Sequence, residues 1–277
     1  MHRIDGPGAT VDNKFTDGDP VGGVPATVVT DDWLNDVQEN IMAVLAAAGI
    51  TPTKGRAADL LDSISGRFIG TKVFFASGSY IPTAGMKKAR VRELGGGGGG
   101  GGAPITAAGN VGLGAGGHAG AYAEGVFTAA QIGASQVVTV GGGGAGSTGT
   151  GATGGATSFG ALLVAAGGIG GGSAGNAAPP ISNGNGGSAA TSSGGNLNAV
   201  GQLSTIGLAF TVSVGYSGSG AASAFGAGGG AVNSTSNGQN GFGYGSGGSG
   251  AYAGPSNASA RTGGNGTQGF VIVEEWV

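Results

Sequence analysis

Residues 95–102 are eight consecutive glycines, set in the sequence Glu93-Leu94-GGGGGGGG-Ala103-Pro104. Only eleven of the 69 glycines precede this run, whereas nearly one residue in three after Leu94 is glycine. Charge changes at the same place: between Leu94 and Val273 the only charged residues are Glu124 and Arg261. The chain therefore has two parts, and we assign residues 1–70 to the first and residues 71–277 to the second.

The glycine tracts allow two physical interpretations. Free glycine chains lose the most conformational entropy on ordering, so they are often flexible linkers. Here, however, segments typical of β-strands interrupt the tracts repeatedly, up to the last one at 270–276. We therefore favour ordered packing of extended, polyproline-II-like glycine segments, in which the missing side chains let backbones touch and exchange hydrogen bonds. A collagen triple helix is disfavoured, because no sustained three-residue glycine period exists and proline is scarce.

The strand pattern predicts a mainly β fold with a small α-helical N-terminal part. Runs of β-branched and aromatic residues bounded by turn residues mark the expected strands. They are 72–75, 80–81, 88–92, 122–127, 136–140, 159–165, 208–216 and 270–276. Six of their residues are expected in the core: Phe74, Phe127, Phe159, Phe210, Ile272 and Trp276.

Two helices are predicted before the strands. The first, about 31–48, begins after Thr30 or Asp31 as a cap and ends at Gly49. A second, about 56–65, carries apolar residues on one side. The apolar positions of the first helix have the a/d spacing of a coiled coil, and they are Leu34, Val37, Ile41, Val44 and Ala48. The row extends over only two heptads, so packing on the helix's own chain is an equally open interpretation.

The composition argues against catalysis, metal binding, nucleic-acid binding and membrane insertion. The chain has no cysteine and a formal net charge of −3, which argues against thiolate metal sites and against sequence-independent nucleic-acid binding. No apolar run is long enough to insert into a membrane. The glycine-rich part lacks a cluster of carboxylates or histidines, so we expect no catalytic residues, no enzyme activity, no metal site and no cofactor. His118 lies in glycine-rich sequence and is expected to be an exposed loop residue.

A binding surface remains the best expectation for the glycine-rich part. Its available groups are backbone amides, small hydroxyls, asparagine and scattered aromatic rings. Four aromatic residues lie in glycine-rich sequence away from the expected strands and are candidates for presentation at loop tips. They are Phe225, Phe242, Tyr244 and Tyr252. The alternative is that these rings fill gaps between packed glycine segments.

The N-terminal part resembles tail-fibre proteins of tailed bacteriophages and prophages. The similar segments are Arg3-Ile4-Asp5, 12–20, 25–30, Trp33-Leu34-Asn35 and Ala47-Ala48-Gly49-Ile50. The glycine-rich C-terminal domain of such fibres is similar to a second set, consisting of 85–94, the glycine run, 122–125, 139–141, 157–160 and 269–274. Distal adhesins of T-even-like phages are also similar in using packed polyglycine helices to present recognition loops.

This resemblance implies a receptor-binding fibre protein of the virion tail, made in the host cytoplasm and acting outside the host cell. It implies a homotrimer, which would explain the apolar row on the first helix, a virion baseplate or tail protein as the partner of the N-terminal region, and a bacterial surface receptor bound by the 71–277 domain. Two alternatives stay open at this point. One is a structural fibre subunit without a receptor site, and the other is an ice-binding protein.

Overall fold

The computed structural model describes residues 2–64, 68–184 and 187–277, and the chain divides into two compact units. Unit 1 extends to residue 67 and contains two helices, and unit 2 comprises residues 68–276. Unit 2 is almost entirely strands and extended segments. The predicted fold class, mainly β with a small helical N-terminal part, is confirmed.

Unit 1 contains helix α1 (Asp31–Ala47) and the short helix α2 (Asp59–Ser63). The Thr30 side chain accepts the Trp33 N–H at the start of α1, and Gly49 ends the helix with φ 70°. The arm before α1 folds back on itself, with the Val28 N–H donating to the Pro7 carbonyl at 2.8 Å. Helix α2 is shorter than predicted, and residue 65 of that prediction lies outside the described residues.

The described part of unit 2 contains sixteen strands and one helical turn. The strands are β1 (Phe68–Phe74), β2 (Gly78–Tyr80), β3 (Lys88–Leu94), β4 (Val111–Gly114), β5 (Tyr122–Thr128), β6 (Gln136–Thr139), β7 (Thr157–Phe159), β8 (Leu163–Ala165), β9 (Ser173–Ala177), β10 (Ile181–Asn183), β11 (Ser192–Ser193), β12 (Leu197–Ala199), β13 (Gly207–Thr211), β14 (Val214–Tyr216), β15 (Tyr252–Ala253) and β16 (Phe270–Trp276), with the turn α3 (Ala129–Ile132) between β5 and β6.

Two five-stranded antiparallel sheets pack face to face and form a sandwich. The first sheet has the order β1-β16-β3-β5-β12 and the second β11-β8-β7-β6-β2. Strand β3 alternates between buried Ala89 and Val91 and partly exposed Arg90 and Arg92, so one face of the first sheet is apolar. That face packs on the second sheet through a single apolar cluster that includes Phe159 of β7. Two three-stranded sheets, β10-β13-β14 and β15-β4-β9, complete the strand pairing.

The eight-glycine segment 95–102 is fully buried and donates hydrogen bonds with a three-residue period. Consecutive N–H groups point to three different neighbouring segments, and every third group returns to the same neighbour. The donor to acceptor pairs, at 2.8–3.0 Å, are Gly95–Ala121, Gly98–His118 and Gly101–Ala115 to the first neighbour, Gly96–Gly155, Gly99–Ala152 and Gly102–Gly149 to the second, and Gly97–Thr267 and Gly100–Gly264 to the third. All three neighbours run antiparallel to 95–102.

The carbonyl groups of the same segment are used in the same way by three further neighbours. These segments run parallel to 95–102 and donate to it, again at every third residue. The donor to acceptor pairs are Gly168–Gly96 and Gly171–Gly99, Gly144–Gly97 and Ser147–Gly100, and Gly248–Gly98 and Ala251–Gly101. We call 95–102 and its six neighbours (115–121, 142–147, 149–155, 166–172, 246–251 and 261–267) the glycine bundle.

The bundle requires glycine because its backbones touch. A Cβ atom built on any residue of 95–102 would lie under 3.0 Å from a backbone carbonyl oxygen of a neighbouring segment. At Gly98 that oxygen belongs to Ile169, itself in a bundle segment. The close approach lets each central peptide group reach its hydrogen-bond partner without side chains between the segments.

Six of the seven bundle segments are separated by at most two residues along the chain from a strand of the sandwich. Segment 95–102 follows β3, segment 115–121 leads into β5, and segment 261–267 precedes β16. The neighbours 142–147, 149–155 and 166–172 likewise adjoin β6, β7 and β8. In the strands, side chains alternate between two faces with a period of two residues. Where glycine replaces larger residues, the same chain continues with hydrogen bonds whose directions repeat every three residues.

Three sequence expectations for this unit need correction. The run 159–165 forms two strands, β7 and β8, because Gly160 takes φ 56° and turns the chain. The run 208–216 likewise forms the hairpin β13–β14. Of the six residues expected in the core, Phe127 and Phe159 are buried, and Phe74, Ile272 and Trp276 are half-buried. Phe210 is 60% exposed, because it lies on the outward face of the hairpin.

Candidate binding surface

Five aromatic rings form a continuous ladder at the surface of unit 2, in which the middle ring, Phe270, is buried at 3% exposure. The rings follow one another in the order Tyr122, Phe225, Phe270, Tyr244 and Phe75. Successive centroids lie 5.9, 4.9, 5.6 and 5.2 Å apart. These are distances at which aromatic pairs attract one another, so each ring helps to fix the next.

Strand ends of the first sheet supply three rings of the ladder. Phe270 and Tyr122 both face Leu94 across the sheet, in the pairs Phe270–Leu94 and Leu94–Tyr122. They share the outward face with Arg92 because residues two apart in a strand point the same way. Phe75 follows β1 directly and stacks on Tyr244 with an interplanar angle of 16°. The ladder thus lies where the sandwich meets the glycine bundle.

Two loops supply the other rings and are fastened to each other. The Ser223 hydroxyl accepts the Phe225 N–H at 3.0 Å and donates to the Tyr244 carbonyl. The Tyr244 N–H in turn donates to the Phe225 carbonyl at 3.2 Å. Gly243 and Gly245, with φ 76° and 66°, allow the backbone around Tyr244 to turn. Phe225 and Tyr244 are therefore held by backbone contacts as well as by ring packing.

An uncharged pocket of about 310 Å³ adjoins the ladder. Tyr122 contributes to both, and Ser223 links the pocket wall to the loop that carries Phe225. The other lining groups are backbone and small or apolar side chains, with Gln202 as the one long polar side chain. Pockets of this kind, apolar with a few polar groups, are typical small-ligand sites.

A row of paired charges lies beside the ladder on the same sheet face. Arg90 contacts Glu124 at 2.7 Å, and Arg92 contacts Glu274 at 2.9 Å. The Tyr122 hydroxyl donates to Glu124 at 2.9 Å. Burial, followed by this bond to Glu124, raises the pKa of Tyr122 to about 12, so the ring carries a neutral hydroxyl at physiological pH.

Two of the four aromatic candidates from the sequence, Phe225 and Tyr244, come together in the ladder through Phe270. Phe225 is 41% exposed and Phe242 is 63% exposed, and Tyr244 is half-buried between Phe75 and Phe270. Phe242 lies two residues before Tyr244 and is held by its N–H bond to the Ala227 carbonyl at 2.8 Å. For Phe225 and Tyr244, a common surface patch and partial packing are both realised, whereas Phe242 lies outside the ladder and is the most exposed of the three.

Tyr252 does not lie at a loop tip, and the expectation of an exposed ring is wrong for it. It is only 3% exposed and belongs to a second apolar cluster with Val111, Leu113 and Val232. Its strand β15 pairs with β4, and its ring fills the space over Gly215, where a Cβ atom would lie 2.9 Å from the ring. Burial raises the pKa of Tyr252.

Sequence analysis missed Phe75 and Tyr122 as members of the surface. Adjacent aromatics such as Phe74 and Phe75 were the available signal, since neighbours in a strand point to opposite faces and one of the two must face outward. Tyr122 gave no such signal. The sequence places it only as the first residue of the expected strand 122–127.

His118 is also placed differently from expectation, because it is 1% exposed inside the glycine bundle. Its Nδ1 atom accepts the Ser204 N–H at 3.0 Å, and its Nε2 atom lies 3.3 Å from the Gly187 carbonyl oxygen. Burial lowers the pKa of His118, so the ring is neutral. In the part of the chain that the structure describes, no group of three or more acidic, histidine or cysteine side chains could hold a metal ion.

Two carboxyl groups are buried at the sandwich. Glu275 accepts hydrogen bonds from Tyr80, from Thr83 and from Lys72. Burial alone would raise its pKa, but these bonds outweigh burial and lower the pKa of Glu275 to about 2. Glu93 faces the second sheet, where burial raises its pKa to about 8 against the smaller opposing effect of the Phe159 and Ala165 N–H groups. Glu93 is therefore protonated at neutral pH.

The apolar row expected to mediate oligomerisation lies on the outer side of α1. Leu34, Ile41 and Val44 are 53%, 41% and 44% exposed, and Val37 and Ala48 are half-buried. The one buried residue of α1 is Leu45, which is not part of the row. The rest of unit 1 thus leaves the side chains of this row partly or largely exposed. Its role in assembly stays a prediction.

No helix within the described ranges is both long and apolar enough to cross a membrane. No protein-family model matches the chain. A curated relative, "Uncharacterized protein StfP" of Escherichia coli (strain K12), is 37% identical over 78 residues. The similar region covers 26% of this chain and 37% of StfP, so the chain spans little more than a third of that relative.

Proposed function

We propose that this chain is a tail-fibre protein of a tailed bacteriophage or prophage and that unit 2 binds a receptor on the bacterial surface. The observation that carries the proposal is the aromatic ladder beside an uncharged pocket, held on a rigid glycine bundle. Aromatic residues are enriched at the core of protein interfaces, and tyrosine is among the residues that most often contribute large binding energies. The partial similarity to StfP of E. coli supports a bacterial setting.

In this proposal the chain binds and does not catalyse. Phe225, Phe242 and Tyr244 contact the receptor, together with Phe75 and Tyr122. Residues 1–70 attach the chain to a baseplate or tail protein, and the α1 row joins three copies into a homotrimer. The protein is made in the host cytoplasm and acts at the virion tail outside the cell. The three-residue period of the bundle supports polyglycine-II-like packing as the scaffold of the binding surface.

Adsorption of the purified full-length chain to susceptible host cells tests the proposal, with receptor-deficient cells as the comparison and the oligomer mass measured on the same samples. Phe242→Ala is the sharpest variant, because this ring is 63% exposed. We expect its affinity for cells to fall about tenfold, the loss of one moderate contact residue. Val137→Ala, at a 67% exposed position of β6, is the control and should bind as the natural chain does.

Two outcomes would contradict the proposal in different ways. A folded chain that adsorbs to no susceptible cell would leave a structural fibre subunit without its own receptor site. Adsorption that survives both Phe242→Ala and Tyr244→Ala unchanged would place the receptor contact outside these two neighbouring rings.

A further inference from the structure

We infer that the outer edge of unit 2 between residues 197 and 216 is an interface with a second copy of this chain. The region first contains a row of four aliphatic residues, Leu197, Val200, Leu203 and Ile206, which we call the aliphatic row. They are 53%, 66%, 55% and 49% exposed. Water thus contacts about half of each side chain, although all four are apolar.

The aliphatic row is regular because its segment packs on the glycine bundle. The carbonyls of Gln202 and Thr205 accept N–H bonds from Ala119 and Gly116 of the bundle. Acceptors three residues apart indicate the three-residue period of the bundle itself, in which side chains three apart point the same way. Val200, Leu203 and Ile206 therefore form a straight line on the outside of the unit.

The hairpin β13–β14 continues the same chain and adds a second exposed set. Its outward residues are Phe210, Val212, Val214 and Tyr216, exposed by 60%, 39%, 49% and 51%. Inward residues of the hairpin, Ala209 and Gly215, are buried. An alternating strand pattern normally has apolar residues inward and polar residues outward. In this hairpin, large apolar residues take the outward positions.

The exposed apolar area of this edge and the absence of charged residues in its sequence suit an interface with an identical chain. Together the eight side chains expose on the order of 800 Å², which is about the share that one partner contributes to a standard protein interface. No charged residue lies between 197 and 216, so two identical edges can meet without repulsion between like charges.

Thiol accessibility in the full-length chain tests this inference, because the natural sequence contains no cysteine. The variant Leu203→Cys places a single thiol in the aliphatic row, and Val137→Cys places one on β6 at similar exposure as the matched control. The rate of reaction with Ellman's reagent is measured at a concentration where the mass is that of an oligomer, and again after dilution to monomer. We expect the Leu203→Cys thiol to react at least about tenfold more slowly than the control in the oligomer, and equally fast in the monomer.

Equal rates in the oligomer would overturn the inference, since copies joined elsewhere, for example through α1, leave the edge open. A chain that is monomeric at every concentration would overturn it as well. Protection of the Leu203→Cys thiol only when receptor-bearing cells are added would assign the edge to the receptor instead. Cell adsorption measured with Phe242→Ala is a separate readout, so failure of this inference is distinguishable from failure of the proposed function.

The double variant Leu203→Gln with Ile206→Gln gives an independent check that needs no label. Both side chains point outward at about half exposure, so the fold should tolerate the polar replacements. We expect the concentration at which copies associate to rise at least about tenfold, because apolar contact is lost from the interface. Association at the unchanged concentration, with an unchanged melting temperature, would contradict the inference.

Discussion

The sandwich and the glycine bundle adjoin each other along the same stretches of chain, yet different interactions stabilise them. In the sandwich, side chains such as Phe159 fill the space between two sheets, and apolar burial provides the stability. In the bundle there are few side chains to bury, and the backbones approach until each central peptide group is hydrogen-bonded. Removing atoms should therefore damage the first region, and adding atoms should damage the second.

The largest effect is expected where one methyl group enters the bundle. In Gly98→Ala the new Cβ would lie under 3.0 Å from the Ile169 carbonyl oxygen, and backbone on every side prevents the segment from moving away. We expect unfolding free energy to fall by at least about 4 kcal/mol, or the chain not to fold. Urea unfolding followed by circular dichroism measures the change. A loss below about 1 kcal/mol would show that the bundle is loosely packed.

Removing a ring from the sandwich deletes atoms instead of adding them, and it should lower the unfolding free energy slightly less than Gly98→Ala does. Phe159 is fully buried in the cluster between the two sheets, and Tyr80 packs against it at 5.1 Å. We expect Phe159→Ala to lower the unfolding free energy by about 3 kcal/mol through lost burial and the cavity that remains. The same urea experiment applies. A Phe159→Ala variant that is clearly less stable than the Gly98→Ala variant would contradict this order.

Burial of a carboxyl group in the sandwich gives a pH dependence above pH 6, where the buried His118 of the bundle, whose pKa is lowered by burial, stays neutral. The pKa of Glu93 is about 8 when folded and near its ordinary value of 4.5 when unfolded, so the folded state binds the extra proton between these values. Stability should therefore fall as pH rises, by about 2 kcal/mol from pH 6 to pH 8. Glu93→Gln should remove this slope, as measured by unfolding at several pH values. A natural chain with a flat profile over this range would refute the assignment.

The smallest effect is expected at a bundle glycine that faces open space. No atom lies within 4 Å of a Cβ built on Gly142, and its backbone is outside the left-handed region. Gly142→Ala should change stability by less than about 1 kcal/mol, in the stabilising direction, because the unfolded chain loses freedom. The variant is also the matched control for Gly98→Ala. A large loss at Gly142 would mean that glycine is needed there for a reason other than space.

Sequence patterns predicted the class of this fold because they act locally. The cap at Thr30, the stop at Gly49 and the alternation of β3 each involve residues close together in the chain, and all three appear in the structure. The glycine run likewise indicated backbone packing. It could not indicate which six segments surround it, because glycines carry no side chains that distinguish one partner from another.

The binding surface was only partly predictable for a related reason. Exposure depends on what packs against a residue from distant parts of the chain. Tyr252 and Phe242 lie in similar glycine-rich sequence, yet the space over Gly215 buries the first, and the second stays exposed. Phe210 alternates like a core residue but lies on the outside of a hairpin. The ladder itself depends on the register that brings Tyr122 opposite Leu94 and Phe270.

The three-residue period of the bundle limits how this chain can change in length. Each N–H in 95–102 reaches one particular neighbour, so one inserted residue would turn every later residue toward a different neighbour. Insertions of three residues restore the directions, and insertions in the loops between segments leave them untouched. We therefore expect length variation among descendants of this sequence to gather at loops such as 222–227, with changes inside segments coming in multiples of three. The bundle would thus fix the lengths of its segments in steps of three residues and leave the lengths of the loops free to vary.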